Sequence, residues 1–148
     1  MFNTIIVGTD GSETAAQAVE QAAELAAQLG ATLNIVSAFE PIPEARLKAE
    51  RAEAPTDVEW AINPREDVDA MLNKTAAPYR DRGIEITLTP RAGNPSDAIL
   101  DVAEEIHADL IVIGNRGMTG AKRFLLGSVP NKISHHAPCS VLIVRTTD

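Results

Sequence analysis

The sequence predicts an α/β fold, a five-stranded parallel sheet covered by helices, on three observations. Short aliphatic runs recur along the whole chain, at residues 4–7, 32–38, 84–88, 110–113 and 141–144. The first, fourth and fifth are nearly unbroken Val, Ile and Leu, the composition of strands buried on both faces. Segments with helical periodicity lie between the runs, and strands alternating with helices build parallel sheets with right-handed crossovers.

Each element carries its own signal. Residues 4–7 read as the first strand, and Gly8-Thr9-Asp10-Gly11-Ser12 follows as a loop. From Ser12 the chain sets Ala15, Ala16, Val19, Ala22, Ala23, Ala26 and Leu29 on one side before reaching Gly30. That is an alanine-faced amphipathic helix with a serine N-cap and a C-terminal glycine. Residues 32–38 read as the second strand. Residues 40–62 then form a variable excursion with Pro41, Pro43 and Pro55. Loops of that length in a compact domain are usually functional lids or disordered. Within it, 44–53 is compatible with a short helix, and Trp60 serves either as a packing anchor or as a stacking surface for a ligand.

Asn63-Pro64-Arg65-Glu66 joins a capping residue, a proline at the first helical position and a Glu three after the cap. It opens a helix expected to reach Arg82 and stop at Gly83, with the third strand at 84–88. Asn94-Pro95-Ser96-Asp97 repeats the start signal ahead of Ile99, Leu100, Val102, Ala103 and Ile106. After the fourth strand, Ser128 is expected to cap a last helix, with Pro130 in the first turn where proline is tolerated. That helix ends near Ala137-Pro138, before the fifth strand.

Bulk properties narrow the function classes. The 148 residues are expected to form one domain, 1–148, a size that buries about 68–70% of the unfolded surface. The opening MFNTIIVGTDGS lacks the charged start and long apolar core of a signal peptide. No run approaches the roughly 18 apolar residues of a membrane span. The expected setting is cytoplasmic, with no membrane partner. A single cysteine, Cys139, excludes an intrachain disulfide and a multi-cysteine zinc site, and its place before SVLIV reads as a small hydrophobe. A net charge of -8 argues against nucleic acid as a partner. The charge is uneven, because no Asp or Glu lies between Leu110 and Thr147 while Arg116, Lys122, Arg123, Lys132 and Arg145 all do. A positive segment in an acidic protein suits a small anion.

In an open parallel α/β sheet, ligands bind beyond the C-terminal strand ends where strand order reverses, here between the first and fourth strands. Two loops are expected to line that crevice: 8–12 and the segment GNRGMTGAKRFLLGS at 114–128. Gly114 and Gly117 let backbone N–H groups approach a ligand without interference from a Cβ atom. Gly127 and Ser128 stand at a helix entrance, where unpaired N–H groups and the helix dipole favour an anion. A phosphate chain suits two such N–H clusters, with Arg116, Lys122 and Arg123 adding long-range attraction. Neither GxxxxGK[ST] nor a GxGxxG after the first strand is present, which weighs against P-loop phosphotransferases and nicotinamide dehydrogenases.

The spacing Gly114-x2-Gly117-x9-Gly127-Ser128 after a strand resembles the nucleotide-binding signature of the universal stress protein family. The opening IIVGTDGSETAAQAV and the terminal PCSVLIV are similar to the same family, and the resemblance spans the chain apart from 40–62. It implies a doubly wound five-stranded parallel sheet of order 3-2-1-4-5, Rossmann-like and of the adenine nucleotide alpha hydrolase type. By position, Asp10 resembles the acid on the ribose or adenine side, and Ala38 the residue whose backbone reads adenine. Gly114, Gly117, Gly127, Ser128 and Val129 resemble the phosphate binders, with Thr9 and Ile113 beside these loops. The implied ligand is ATP, with Mg2+ or Mn2+ bound through the phosphates and no metal ligand from protein side chains. The implied partner is a second copy, joined in a homodimer through the strand from Val141 to Val144. One departure stands out: Pro130 occupies a position where relatives often carry Ser or Thr, which leaves room for AMP or cyclic AMP.

Efficient hydrolysis calls for a positioned base beside the terminal phosphate. The segment 114–128 contains no acid, and Asp10 is already assigned to the sugar. His107, His135 and His136 fall at helix C-termini, where a cation suits the dipole. The expectation is a binding module with no catalytic residue, and at most a slow ATPase.

Overall fold

The computed structural model describes residues 1–39, 64–115 and 128–146. In chain order these hold β1 (Thr4–Gly8), α1 (Glu13–Leu29), β2 (Thr32–Phe39), α2 (Pro64–Arg80), β3 (Ile86–Ala92), α3 (Pro95–Glu105), β4 (Leu110–Gly114), α4 (Ser128–His136) and β5 (Ser140–Val144). All strand pairs are parallel, and the sheet order is β3-β2-β1-β4-β5. The excursion at 40–62, with its expected helix at 44–53 and Trp60, lies outside the described residues.

The sheet is wound from both sides because successive strand residues point to opposite faces. Ile5, Val7, Leu33, Ile35, Leu110 and Val112 turn to one face, where Ala18, Val19, Ala22, Ala23 and Ala26 of α1 and Leu72 and Ala76 of α2 cover them. Ile6, Val36, Ile111 and Ile113 turn to the other face, against Ile99, Val102 and Ala103 of α3 and Val129 and Ile133 of α4. Complete burial of β1 from Ile5 to Val7 explains why its sequence does not alternate.

The caps at Ser12, Gly30 and Asn94 fall where the sequence placed them, while Asn63 lies outside the described residues. The Ser12 hydroxyl accepts the N–H of Ala15 at 3.2 Å, and Gly30 takes the left-handed conformation at φ 65° while its N–H reaches the Ala26 carbonyl. The Asn94 side chain accepts the N–H of Asp97 at 2.9 Å to open α3. Ser128 is the first residue of α4 rather than the residue before it.

β3 departs most from expectation, running from Ile86 to Ala92 instead of 84–88. Its extent is set by β2, which pairs with it from Leu33↔Ile86 to Phe39↔Ala92. Backbone pairing carries β3 past its last aliphatic residue. Pro90 is tolerated because β3 is an edge strand with one side free of ladder bonds. The expected strand residue Ile84 is buried, but ahead of β3.

Candidate functional site

The order 3-2-1-4-5 puts the reversal between β1 and β4, which pair from Ile5↔Leu110 to Val7↔Val112. The loops after these two strands therefore open side by side at the C-terminal end of the sheet.

On the β1 side the chain turns sharply. Thr9 is 1% exposed; its N–H donates to the Val36 carbonyl at 3.0 Å, and its Oγ1 accepts the Gly11 N–H at 3.1 Å. Asp10 is exposed, and its Oδ1 accepts the Ser12 N–H at 2.9 Å. Oδ2 makes no hydrogen bond among the described residues, so the carboxylate is aimed by one oxygen and open at the other. Gly11 has φ 84°, and a Cβ there would stand 2.7 Å from Met71 Cγ, so both backbone and packing require glycine. Gly8, expected in the loop, is the buried last residue of β1. A Cβ on it would collide with Ile99 Cδ1 and come within 3.1 Å of Ile113 Cδ1, so this glycine serves the seating of α3.

Ala38 sits near the end of β2, two residues past the Gly8↔Val36 pair. On the β4 side, Ile113 is buried in the core and Gly114 closes the strand. The start of α4 belongs to the same end of the sheet, since α4 must run back before β5 can pair parallel to β4. Ser128 is exposed there, whereas the Val129 side chain is buried with Ile133, which leaves only its backbone for a ligand. Pro130 removes one N–H from this first turn, which contains no acidic residue of its own. Thus Thr9, Asp10, Ala38, Ile113, Gly114, Ser128 and Val129 gather at one end of the sheet. Arg116, Gly117, Lys122, Arg123 and Gly127 lie outside the described residues.

Two neighbours of the site were not marked by the sequence reading. The Asn115 N–H donates to the Val144 carbonyl at 2.9 Å, while Asn115 Oδ1 accepts from both the N–H and the hydroxyl of Thr146, at 3.0 and 3.1 Å. A Cβ on Gly114 would come within 3.1 Å of Thr146 Cγ2, so part of the space left by this glycine is filled by Thr146. The only hint in the sequence was an amide immediately after the strand-ending glycine.

The acid-free stretch also looks different in space. Lys132 Nζ donates to Asp97 Oδ1 at 2.8 Å, tying α4 to the first turn of α3. That hydrogen bond, followed by one from Asn94, holds the Asp97 carboxyl below its ordinary value. Lys132 is therefore a neutralised cation. Among the described residues, no group of three or more His, Cys, Asp or Glu could hold a metal ion. His107 lies beyond α3 in the left-handed conformation at φ 53°, while His135 and His136 occupy the last turn of α4. Burial, and then the Asp109 charge, push the half-buried Cys139 thiol up, which does not suit a nucleophile.

Residues 1–145 match the model of the universal stress protein family. The chain belongs to that family. It is 35% identical over 147 residues to a universal stress protein of Mycobacterium tuberculosis, covering 99% of this chain and 98% of that one. A solved universal stress protein in complex with cAMP aligns at TM-score 0.73 and 31% identity, covering 99% of this chain and 98% of the other. The universal stress protein of Archaeoglobus fulgidus in complex with dAMP aligns at TM-score 0.68 and 23% identity over 97% of this chain and 98% of that one, a likeness of fold. The fold is thus shared between this universal stress protein and a solved member of its family. No helix among the described residues is long and apolar enough to cross a membrane.

Proposed function

We propose that this universal stress protein binds an adenine nucleotide between β1 and β4 and acts as a nucleotide-responsive stress regulator rather than as a hydrolase. The observation that carries the reading is the convergence at the switch point. The Asp10 loop stands on one side, and Gly114 and the N-terminus of α4 stand on the other. Asp10 would take the sugar through its open oxygen, the Ala38 backbone would face the base, and the glycine loops would hold the phosphates. ATP is the first ligand of this reading, with Mg2+ or Mn2+ carried on the phosphates. Cyclic AMP or AMP is the second, supported by the donor that Pro130 removes and by the cAMP complex of a relative at 31% identity. A hydrolase would require a base free to meet the attacking water, whereas Asp97 is tied to Lys132 and the open oxygen of Asp10 is assigned to the sugar in this reading.

The reading includes a homodimer through β5. This is an edge strand with unpaired backbone on its outer side, and Leu142 and Ile143 are 38% and 36% exposed.

Calorimetric titration with ATP, ADP, AMP and cyclic AMP, with and without magnesium, tests the ligand. Saturable binding of at least one nucleotide is expected, and Gly117→Val and Gly127→Val should each abolish it while leaving the circular dichroism unchanged. A silent titration with all four would sink the proposal. Single-turnover release of phosphate from ATP, lost in Asp10→Ala, would replace the regulator with a hydrolase.

A further inference from the structure

We propose that Asn115 is a two-ended residue of the crevice: its Oδ1 holds the chain after β5, and its Nδ2 donates to a phosphoryl oxygen of the bound nucleotide. The proposal rests on the adenine-nucleotide reading above. Both donors of Thr146, backbone and hydroxyl, meet the same amide oxygen at 3.0 and 3.1 Å. A flipped amide would set Nδ2 against the Thr146 N–H, donor facing donor, so the orientation is fixed by its partners. Thr146 is 6% exposed, which shields the contact from water.

Committing Oδ1 to the β5 side turns Nδ2 away from it, because the two atoms diverge from one planar carbon. Nδ2 makes no hydrogen bond among the described residues, and no buried side-chain polar atom there lacks a partner. Nδ2 lies at the C-terminal end of β4, one residue past Gly114, with its donors uncommitted among the described residues. An anionic oxygen is the acceptor that gains most from such oriented donors, and the N-terminus of α4 lies at the same end of the sheet. Because one amide serves both ends, occupancy of the crevice is coupled to the segment that follows β5.

The test titrates AMP and adenosine, which differ by the phosphoryl group, into the wild-type chain and Asn115→Asp. Aspartate keeps an oxygen for Thr146 and replaces the donor. AMP affinity is expected to fall about tenfold or more, with adenosine affinity changed less than about twofold. Unchanged AMP binding, or equal loss for both ligands, overturns the proposal. A second arm needs no variant: in nitrogen-15-labelled wild-type protein, the Asn115 side-chain amide resonances should shift with AMP and not with adenosine. Wild-type protein that binds AMP without moving these resonances refutes the role of Asn115 alone. Wild-type protein that binds neither compound refutes the nucleotide reading and this proposal with it.

Discussion

Glycine illustrates how one residue type takes different duties within a few positions. Gly8 is excluded from contact with a ligand by burial, and its missing Cβ makes room for Ile99 and Ile113. Gly8→Ala would force that contact apart and should destabilise the fold by about 1–3 kcal/mol, read as a lower midpoint in urea unfolding. An unchanged midpoint would show that α3 shifts freely on β1. Gly11 is held by its φ of 84° as well as by Met71, and it shapes the loop that presents Asp10. Gly114 shares its open space with the Thr146 methyl group, so backbone exposure there is a property of one side only.

One helix cap and one contact between helices translate into measurable behaviour. Asn94 accepts from both the Asp97 N–H and the Ser96 hydroxyl, and its Nδ2 donates to Asp97 Oδ2 at 2.6 Å. Asn94→Ala should lower stability by about 1 kcal/mol in chemical denaturation. The carboxylate that bonds Lys132 would then lose its second partner. Between α1 and α2, the Tyr79 hydroxyl donates to Glu20 Oε2 at 2.7 Å. Burial first, and then this bond, push the phenol up to about 12 from 10.0. A group raised in the folded state contributes fully below its unfolded value and loses that contribution as pH rises through the folded one. Stability should therefore decline between pH 10 and 12, and Tyr79→Phe should flatten that part of the profile. Glu20 is lowered, chiefly by the Tyr79 bond, so its contribution is present above 4.5 and fades as the solution is acidified. Comparing the two proteins across pH isolates the pair from the other titrating groups.

For the whole molecule, the doubly wound order turns two remote loops into neighbours and leaves β3 and β5 as edges. The β3 edge carries Pro90, which blunts pairing with another chain. The β5 edge has no proline and exposes Leu142 and Ile143. Sedimentation equilibrium should therefore return twice the chain mass, and Leu142→Lys with Ile143→Lys should return the monomer with its far-ultraviolet spectrum retained. A wild-type monomer at tens of micromolar, roughly the range in which a weak interface would still show, would remove the dimer from the functional reading.

The sequence by itself determined the kind and sequence of the elements, because caps and periodicity act within a few residues. Ser12, Gly30 and Asn94 mark helix ends through bonds to their immediate neighbours, and the aliphatic runs mark strands whichever strand they pair with. The same local pattern placed Asp10 and Gly114 just past or at the ends of β1 and β4, and Ala38 near the end of β2. Tertiary structure alone decided the length of β3, the duty of Gly8, the neutralisation of Lys132 by Asp97, and the Asn115–Thr146 bonds. Each depends on partners that are distant in sequence. Pairing, close approach and charge across such distances leave no local pattern in the residues that make them.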